Sequence, residues 1–332
     1  MGKAKSPRKK ILIIVLVILA VLLALYVVLC NVIVSACLVP SFMEKLDAFE
    51  EITESSLADQ VKTDDITQNR RQYLAETSEW LNENPPEKLS VTTSDGYKLI
   101  AGLFIQAGES HDWVILFHGY TGWKEEMYPF AKEYYEMGYN VLVPDQRCQG
   151  ESEGDFIGMG LTDSEDSMLW INLILENDPG AEIILHGQSM GAATALMISG
   201  RDNLPDNIKA VISDCAYTDA YTMFGDKITE WFSLPAFPIV DSSCLMLRLR
   251  GGYNLKDASP VTAIASSEIP TLIIHGDSDS MINVSMAYSL YESASCERDI
   301  MIVEGAGHAQ AYDKDPEAFM GKIWEFLDEW KK

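Results

Sequence analysis

Ser189 lies in the run Leu185-His186-Gly187-Gln188-Ser189-Met190-Gly191-Ala192, a G-x-S-x-G pentapeptide. A short apolar run, Ile183-Ile184-Leu185, comes before it, and a helix-forming run, Ala192 to Ile198, follows. A serine on a sharp strand-to-helix turn points its hydroxyl outward, and its neighbours are glycines because a side chain there would clash with the strained turn. The chemistry on offer is nucleophilic attack on a carbonyl. It needs a base, a carboxylate to orient that base, and two N–H groups for the oxyanion. Glycine and serine are common, so the pentapeptide alone is a weak signal and the partners have to decide.

The chain has five histidines, His111, His118, His186, His275 and His308. Where the nucleophile sits on such an elbow, the acid and then the histidine follow it along the chain. Only His275 and His308 lie after Ser189. His275 directly follows the apolar run Leu272-Ile273-Ile274 and precedes Gly276, so it reads as a turn-shaping residue. His308 lies in Gly305-Ala306-Gly307-His308-Ala309, a glycine-rich loop able to swing an imidazole over the elbow, and is the expected base. The turn His275-Gly276-Asp277-Ser278-Asp279 offers two carboxylates. Asp279, further into the loop, is the expected acid, and Asp277 reads as a turn residue or cap. The expected oxyanion donors are the amides of Met190, next to the nucleophile, and of Tyr120 in His118-Gly119-Tyr120-Thr121-Gly122, where glycines let the backbone approach substrate closely.

The elements that must position these residues are legible from Leu89 onward. Val91-Thr92-Thr93 and Leu99 to Ile105 read as strands around the turn Ser94-Asp95-Gly96, and Trp113 to Phe117 as a third strand. Strands at 140–143, 183–185, 210–213, 271–274 and 300–303 then alternate with helices around 130–137, 165–176, 192–198, 284–294 and 316–330. An antiparallel start followed by β-α units predicts an α/β fold, a mostly parallel sheet with helices on both faces. Its reactive residues belong at the carboxyl ends of the strands. Residues 217–269 interrupt the alternation with Trp231, Phe232, Pro235, Phe237 and Pro238 and an apolar stretch at 245–249. They are too apolar for a disordered loop and predict a small helical lid.

The 332 residues suffice for one large domain and an appendage. Net charge is −25. The basic residues Lys3, Lys5, Arg8, Lys9 and Lys10 precede position 11 with no acid among them, which leaves −30 on the remainder. A body this acidic argues against nucleic-acid binding and reads as a solvated surface. Ile11 to Cys30 spans twenty positions without a charge, long enough to cross a bilayer as a helix. With the basic cluster directly before it, the reading is a signal anchor: tail 1–10 in the cytoplasm, transmembrane helix 11–34, and everything beyond outside the cell membrane. Val34-Ser35-Ala36-Cys37 resembles a lipoprotein cleavage box, which leaves open a lipid on Cys37 in place of the helix. Residues 38–88 are polar and acidic. The spacing of Phe42, Leu46 and Phe49, then Leu74, Trp80 and Leu81, predicts a helical connector ending at Asn84-Pro85-Pro86, either packed on the main domain (89–332) or holding it off the membrane. The six cysteines show no C-x-x-C pair and no metal-ligand spacing.

From about Leu89 to the C-terminus the chain resembles the α/β-hydrolase superfamily. The residues that carry the likeness are His118-Gly119-Tyr120, Asp145-Gln146-Arg147 with Gly150 and Ser152, Gly187-Gln188-Ser189-Met190-Gly191, His275-Gly276 with Asp279, and Gly307-His308. More narrowly, Asp214-Cys215-Ala216-Tyr217 and Gly307-His308-Ala309 resemble membrane-anchored bacterial serine hydrolases of the esterase and serine-aminopeptidase-like kind. The resemblance implies Ser189 as nucleophile, Asp279 as acid, His308 as base, and Tyr120 with Met190 as oxyanion donors. Two departures stand out. The usual R-G-x-G is Arg147-Cys148-Gln149-Gly150, and the usual V-P after the acid is Ile282-Asn283. Cys148 reads as a loop-filling side chain, with a reactive thiol as the alternative.

The resulting expectation is a carboxylesterase-like serine hydrolase that takes a small-molecule ester or acyl substrate and needs no metal or organic cofactor. The aromatic, apolar lid favours an apolar acyl part. A peptidase would need a lid carboxylate for the substrate amine, and Glu230 and Glu268 are available. A tethered binding protein on a retired hydrolase fold is the third reading. Oligomeric state is not encoded in any pattern found.

Overall fold

Runs of Val, Ile and Leu become strands here because both of their faces find apolar cover. The computed structural model describes residues 7–43 and 64–330. Lys3 and Lys5 of the basic tail, and Leu46 and Phe49 of the connector, lie outside the described residues.

Among the described residues one sheet holds β1 Glu87–Thr92, β2 Lys98–Phe104, β3 Asp112–Phe117, β4 Asn140–Pro144, β5 Glu182–Gln188, β6 Ile208–Asp214, β7 Thr271–Gly276 and β8 Arg298–Val303, in the order β1-β2-β4-β3-β5-β6-β7-β8. β2 is antiparallel to both β1 and β4, and all other neighbours are parallel. The longer helices are α1 Pro7–Leu38, α2 Asp64–Glu83, α3 Tyr128–Glu136, α4 Leu161–Asn177, α5 Met190–Ser199, α6 Ala220–Phe232, α7 Ala236–Gly251, α8 Ser285–Ser293 and α9 Pro316–Trp330.

Alternation along each strand builds two cores. Trp113, Ile115 and Phe117 of β3 join Ile183 and Leu185 of β5 against α4, α5 and α8. Val114 and Leu116 turn the other way and meet α3 and α9 through Phe130, Tyr134, Phe319 and Ile323. Every residue of α5 is buried, which fits a helix that is apolar all round and lies between the sheet and its neighbours. α2 packs on the second core. Trp80 meets Phe104 at 5.0 Å between ring centroids, and the Tyr73 hydroxyl donates to Asp313 Oδ1 at 2.5 Å. Between β6 and β7 the chain inserts α6 and α7, which form a third apolar cluster with the end of α1.

Some boundaries differ from the periodic reading. β5 runs on to Gln188 because it keeps pairing with Phe117 of β3 and Asp214 of β6. α3 starts at Tyr128 after a 3-10 turn, with Pro129 in its first turn, where the missing N–H costs nothing. α4 starts at Leu161, before the predicted 165, because Asp163 Oδ2 accepts the Gly160 N–H at 2.8 Å and Gly160, at φ 81°, caps the helix.

Asp163 is fully buried, and that burial, with Asp166 adding to it, pushes its carboxyl up from 3.8 to about 7. The folded state therefore holds this proton more tightly than the unfolded chain. The stability gained is complete below pH 3.8 and is lost as pH rises through about 7. Asp163→Asn should flatten the fall in urea midpoint across that window. Asp214, raised to about 6, would keep a smaller fall within it. A variant midpoint that declines as steeply as wild type would count against the assignment.

Candidate active site

The elbow is a single residue. β5 ends at Gln188, α5 begins at Met190, and Ser189 between them has φ 56° and ψ −116°. A non-glycine residue at positive φ costs on the order of 1–3 kcal/mol, so the surroundings must hold it there. The Ser189 N–H donates to Asp214 O at 2.8 Å, and Ser189 O accepts from Ala193 N at 3.0 Å. The two flanking glycines are required by contact. A Cβ on Gly187 would sit 2.1 Å from the Gly191 carbonyl, and one on Gly191 would sit 2.0 Å from Phe117 O. Backbone lies on both sides, so nothing can swing away. Gly191→Ala should cost more than about 3 kcal/mol in urea unfolding or prevent folding; a loss under about 1 kcal/mol would show the elbow to be looser than drawn.

Two loops bring the partners to Ser189. Asp279 follows β7, and its side chain is fully buried. Asp279 Oδ1 accepts the Met281 and Ile282 amides, each at 2.8 Å, and Oδ2 accepts from His308 Nδ1 at 2.7 Å. Burial pushes this carboxyl upward, but hydrogen bonds from His275 and His308 outweigh it and hold Asp279 well below the usual carboxylate range. A carboxylate only accepts, so His308 Nδ1 carries the proton and Nε2 presents a lone pair. That nitrogen lies 2.9 Å from Ser189 Oγ, whose hydroxyl donates to it. Asp277 instead accepts the Gly305 N–H at 2.7 Å and ties the Asp279 and His308 loops together.

The loop after β3 closes the third side. A Cβ on Gly119 would lie 3.6 Å from Ser189 Cβ, which sets the neighbouring Tyr120 amide beside the elbow. Met190 is the first residue of α5, so its N–H has no partner within the helix. His118 braces this loop from below. Its Nε2 accepts the Gln146 N–H at 2.9 Å, so Nδ1 carries the proton and donates to Gly119 O at 2.8 Å. Burial lowers His118 to about 4 and keeps it neutral. Beyond it, Lys124 Nζ contacts Asp145 Oδ2 at 2.8 Å and Glu151 Oε1 at 2.9 Å, joining the loops after β3 and β4.

Several of these residues escaped the sequence reading. His275 was expected only to shape a turn, yet its Nε2 lies 3.2 Å from Asp279 Oδ2 and 2.9 Å from Ile282 O. Its position directly after a strand, four residues before Asp279, was the available signal. Asp214 carries no local signal of its role in the sequence. It is fully buried, accepts from Gln188 Nε2 at 3.0 Å and supplies the carbonyl that holds Ser189 N–H. Cys148 has φ 67°, where glycine would sit without strain, and its Sγ is 3.3 Å from Gly154 O. Burial pushes its thiol up to about 12, which leaves it protonated and unreactive at neutral pH.

A family model described as alpha/beta hydrolase fold matches residues 112–238. That match covers β3 through the elbow and into the insertion, and it agrees with the strand order and the loop positions just described. The chain has the α/β-hydrolase fold. It is 29% identical over 239 residues to the Bacillus subtilis (strain 168) uncharacterized protein YqkD, covering 72% of this chain and 78% of that one. Among solved structures, the Pyrococcus furiosus esterase Pf2001 is similar in fold, with a TM-score of 0.59, 22% identity, and coverage of 75% of this chain and 92% of that one. The Pyrococcus horikoshii acylaminoacyl peptidase gives a TM-score of 0.57 at 20% identity, over 73% of this chain and 41% of the larger peptidase.

Proposed function

We propose that this α/β hydrolase is a serine hydrolase that cleaves carboxylic esters through an acyl-enzyme. Ser189 Oγ attacks the carbonyl carbon while His308 Nε2 takes its proton. The Tyr120 and Met190 amides receive the oxyanion, and Asp279 holds the His308 imidazolium. The tetrahedral intermediate then collapses, His308 returns the proton to the leaving alcohol, and water repeats the sequence on the acyl-serine. The observation that carries this reading is the unbroken hydrogen-bonded series from Ser189 Oγ through His308 to Asp279, at 2.9 and 2.7 Å. The two solved neighbours are named an esterase and an acylaminoacyl peptidase.

Ester cleavage is favoured over peptide cleavage by the surroundings. Met190 and Ile282 belong to an apolar cluster with α6 and α7, suited to an acyl chain. Of the carboxylates considered for a substrate amine, Glu230 is paired with Lys227 Nζ at 2.5 Å and Glu268 is exposed. We place α1 across the cell membrane as a single-pass anchor, with the basic end in the cytoplasm and the sheet domain outside. An activated fluorophosphonate should label Ser189, and p-nitrophenyl esters should turn over faster than aminoacyl anilides. Folded protein that takes no label would point to a binding role, and faster anilide cleavage to a peptidase.

A further inference from the structure

The N-terminal helix changes character along its length. From Ile11 to Leu29 its side chains are exposed, apart from a half-buried Tyr26. Cys30, Val34 and Leu38 are then buried to 1%, 2% and 3% exposure. Steps of four put those three on one face. The exposed stretch is about 28 Å long as a helix, close to the hydrocarbon thickness of a bilayer. The remaining turns lie against the protein itself.

They lie against the parts that surround Ser189. The Leu38 carbonyl accepts from Ile157 N at 2.9 Å, and the Cys37 carbonyl accepts from the hydroxyl of Tyr120, which follows Gly119 in the loop beside the elbow. Val34 and Leu38 share an apolar cluster with Met190, Tyr217 and Ile282. Helix α7 runs beside α1 in the same direction. Tyr26 Oη donates to Ser242 Oγ at 2.9 Å, and Arg250 Nη1 donates to Ser35 Oγ at 2.9 Å. The start of α7 therefore reaches back along the apolar span, and Phe237 there is 75% exposed. Trp231, Leu245 and Leu249 add further exposed apolar surface on the insertion. Between the two helices a hollow is lined by Ile33, Val34 and Leu38 on one side and by Phe224, Val240 and Leu247 on the other.

A passive tether has no reason to bond the oxyanion loop or to line an apolar hollow. We propose that the last turns of α1 are a wall of the acyl pocket. The substrate is a membrane-resident ester whose acyl chain enters between α1 and α7 without crossing water. This rests on the ester-hydrolase reading of Ser189. An acyl chain that slides from bilayer to hollow keeps its methylenes out of water throughout, whereas a route through solvent would expose each of them. The exposed Phe237 at the start of α7 sits where that route meets the hydrocarbon.

The test uses the full chain in phosphatidylcholine vesicles and a dodecyl fluorophosphonate with a diazirine at the end of its chain. After covalent labelling, illumination and peptide mass spectrometry locate the chain end. Adducts on residues 33–38 and 240–247 are expected. Adducts confined to the neighbouring cleft at Met223, Met281 or Met286, or none on protein, would overturn the wall while leaving the hydrolase reading intact. No label on Ser189 would overturn the hydrolase reading and the wall with it. Independently, Val34→Trp should lower the ratio of long-chain to butyrate ester turnover by at least about tenfold, and an unmoved ratio in protein that still labels would speak against the wall.

Discussion

Ser189→Ala should lower kcat on an activated ester by on the order of 10⁶-fold, with the urea midpoint close to wild type. The size of the loss follows from how the parts depend on each other. His308 Nε2 has a lone pair aimed at a single hydroxyl, 2.9 Å away, and alanine leaves it nothing to deprotonate. The proposed oxyanion donors, the amides of Tyr120 and Met190, are untouched by the change, so a residual rate of roughly 10³- to 10⁴-fold over water is expected to survive. The same dependence makes the losses non-additive. Ser189→Ala with His308→Ala should be no slower than Ser189→Ala alone, because either change disables the same step. The fold should tolerate the serine change well, since the elbow is held by backbone bonds to Asp214 and Ala193, not by the side chain. Turnover of the single variant within about tenfold of wild type would remove Ser189 from the mechanism.

The strands were readable because burial on both faces demands uninterrupted Val, Ile and Leu, and β3 carries Val114-Ile115-Leu116 and β5 carries Ile183-Ile184-Leu185. The elbow was readable because its glycines are fixed by backbone collisions at 2.0 and 2.1 Å that no other residue can avoid. Asp279 and His308 could be named from order and loop position. Their separation of 2.7 Å depends on where β7 and β8 end, and no local pattern reports that. The polar braces were hidden for a different reason. His118, Lys124, Asp145 and Asp214 have the composition of surface residues, yet all are buried and bonded to groups distant in sequence. His275 reads as a turn residue because it sits between an apolar run and Gly276, and its 3.2 Å approach to Asp279 depends on the path of the loop that follows. The end of α1 was hidden most thoroughly. An uncharged apolar run looks the same to a bilayer and to a pocket, and only the burial of Cys30, Val34 and Leu38 separates the two roles.

Asp279→Asn should cost about 10⁴-fold in kcat while leaving the loop in place. The loop survives because Asp279 Oδ1 accepts two amides, from Met281 and Ile282, and the asparagine carbonyl can keep both. That requirement fixes the orientation of the amide. Its NH₂ must then occupy the Oδ2 position, 2.7 Å from His308 Nδ1. An NH₂ donates, so His308 Nδ1 becomes the acceptor and the imidazole proton moves to Nε2. An Nε2–H cannot take the proton of Ser189, and the site is left whole in shape but in the wrong tautomer. The His275 N–H loses the same acceptor but keeps the Ile282 carbonyl at 2.9 Å. Stability should respond with a definite sign. Asp279 titrates below its ordinary 3.8 in the folded state, so its ionised form stabilises the protein above that pH, and the benefit fades as pH falls through the lowered value. Asparagine lacks this term, so the variant should lose less stability than wild type on acidification below about pH 4. A kcat within about tenfold of wild type would mean that another group orients His308, and the acid would have to be sought elsewhere.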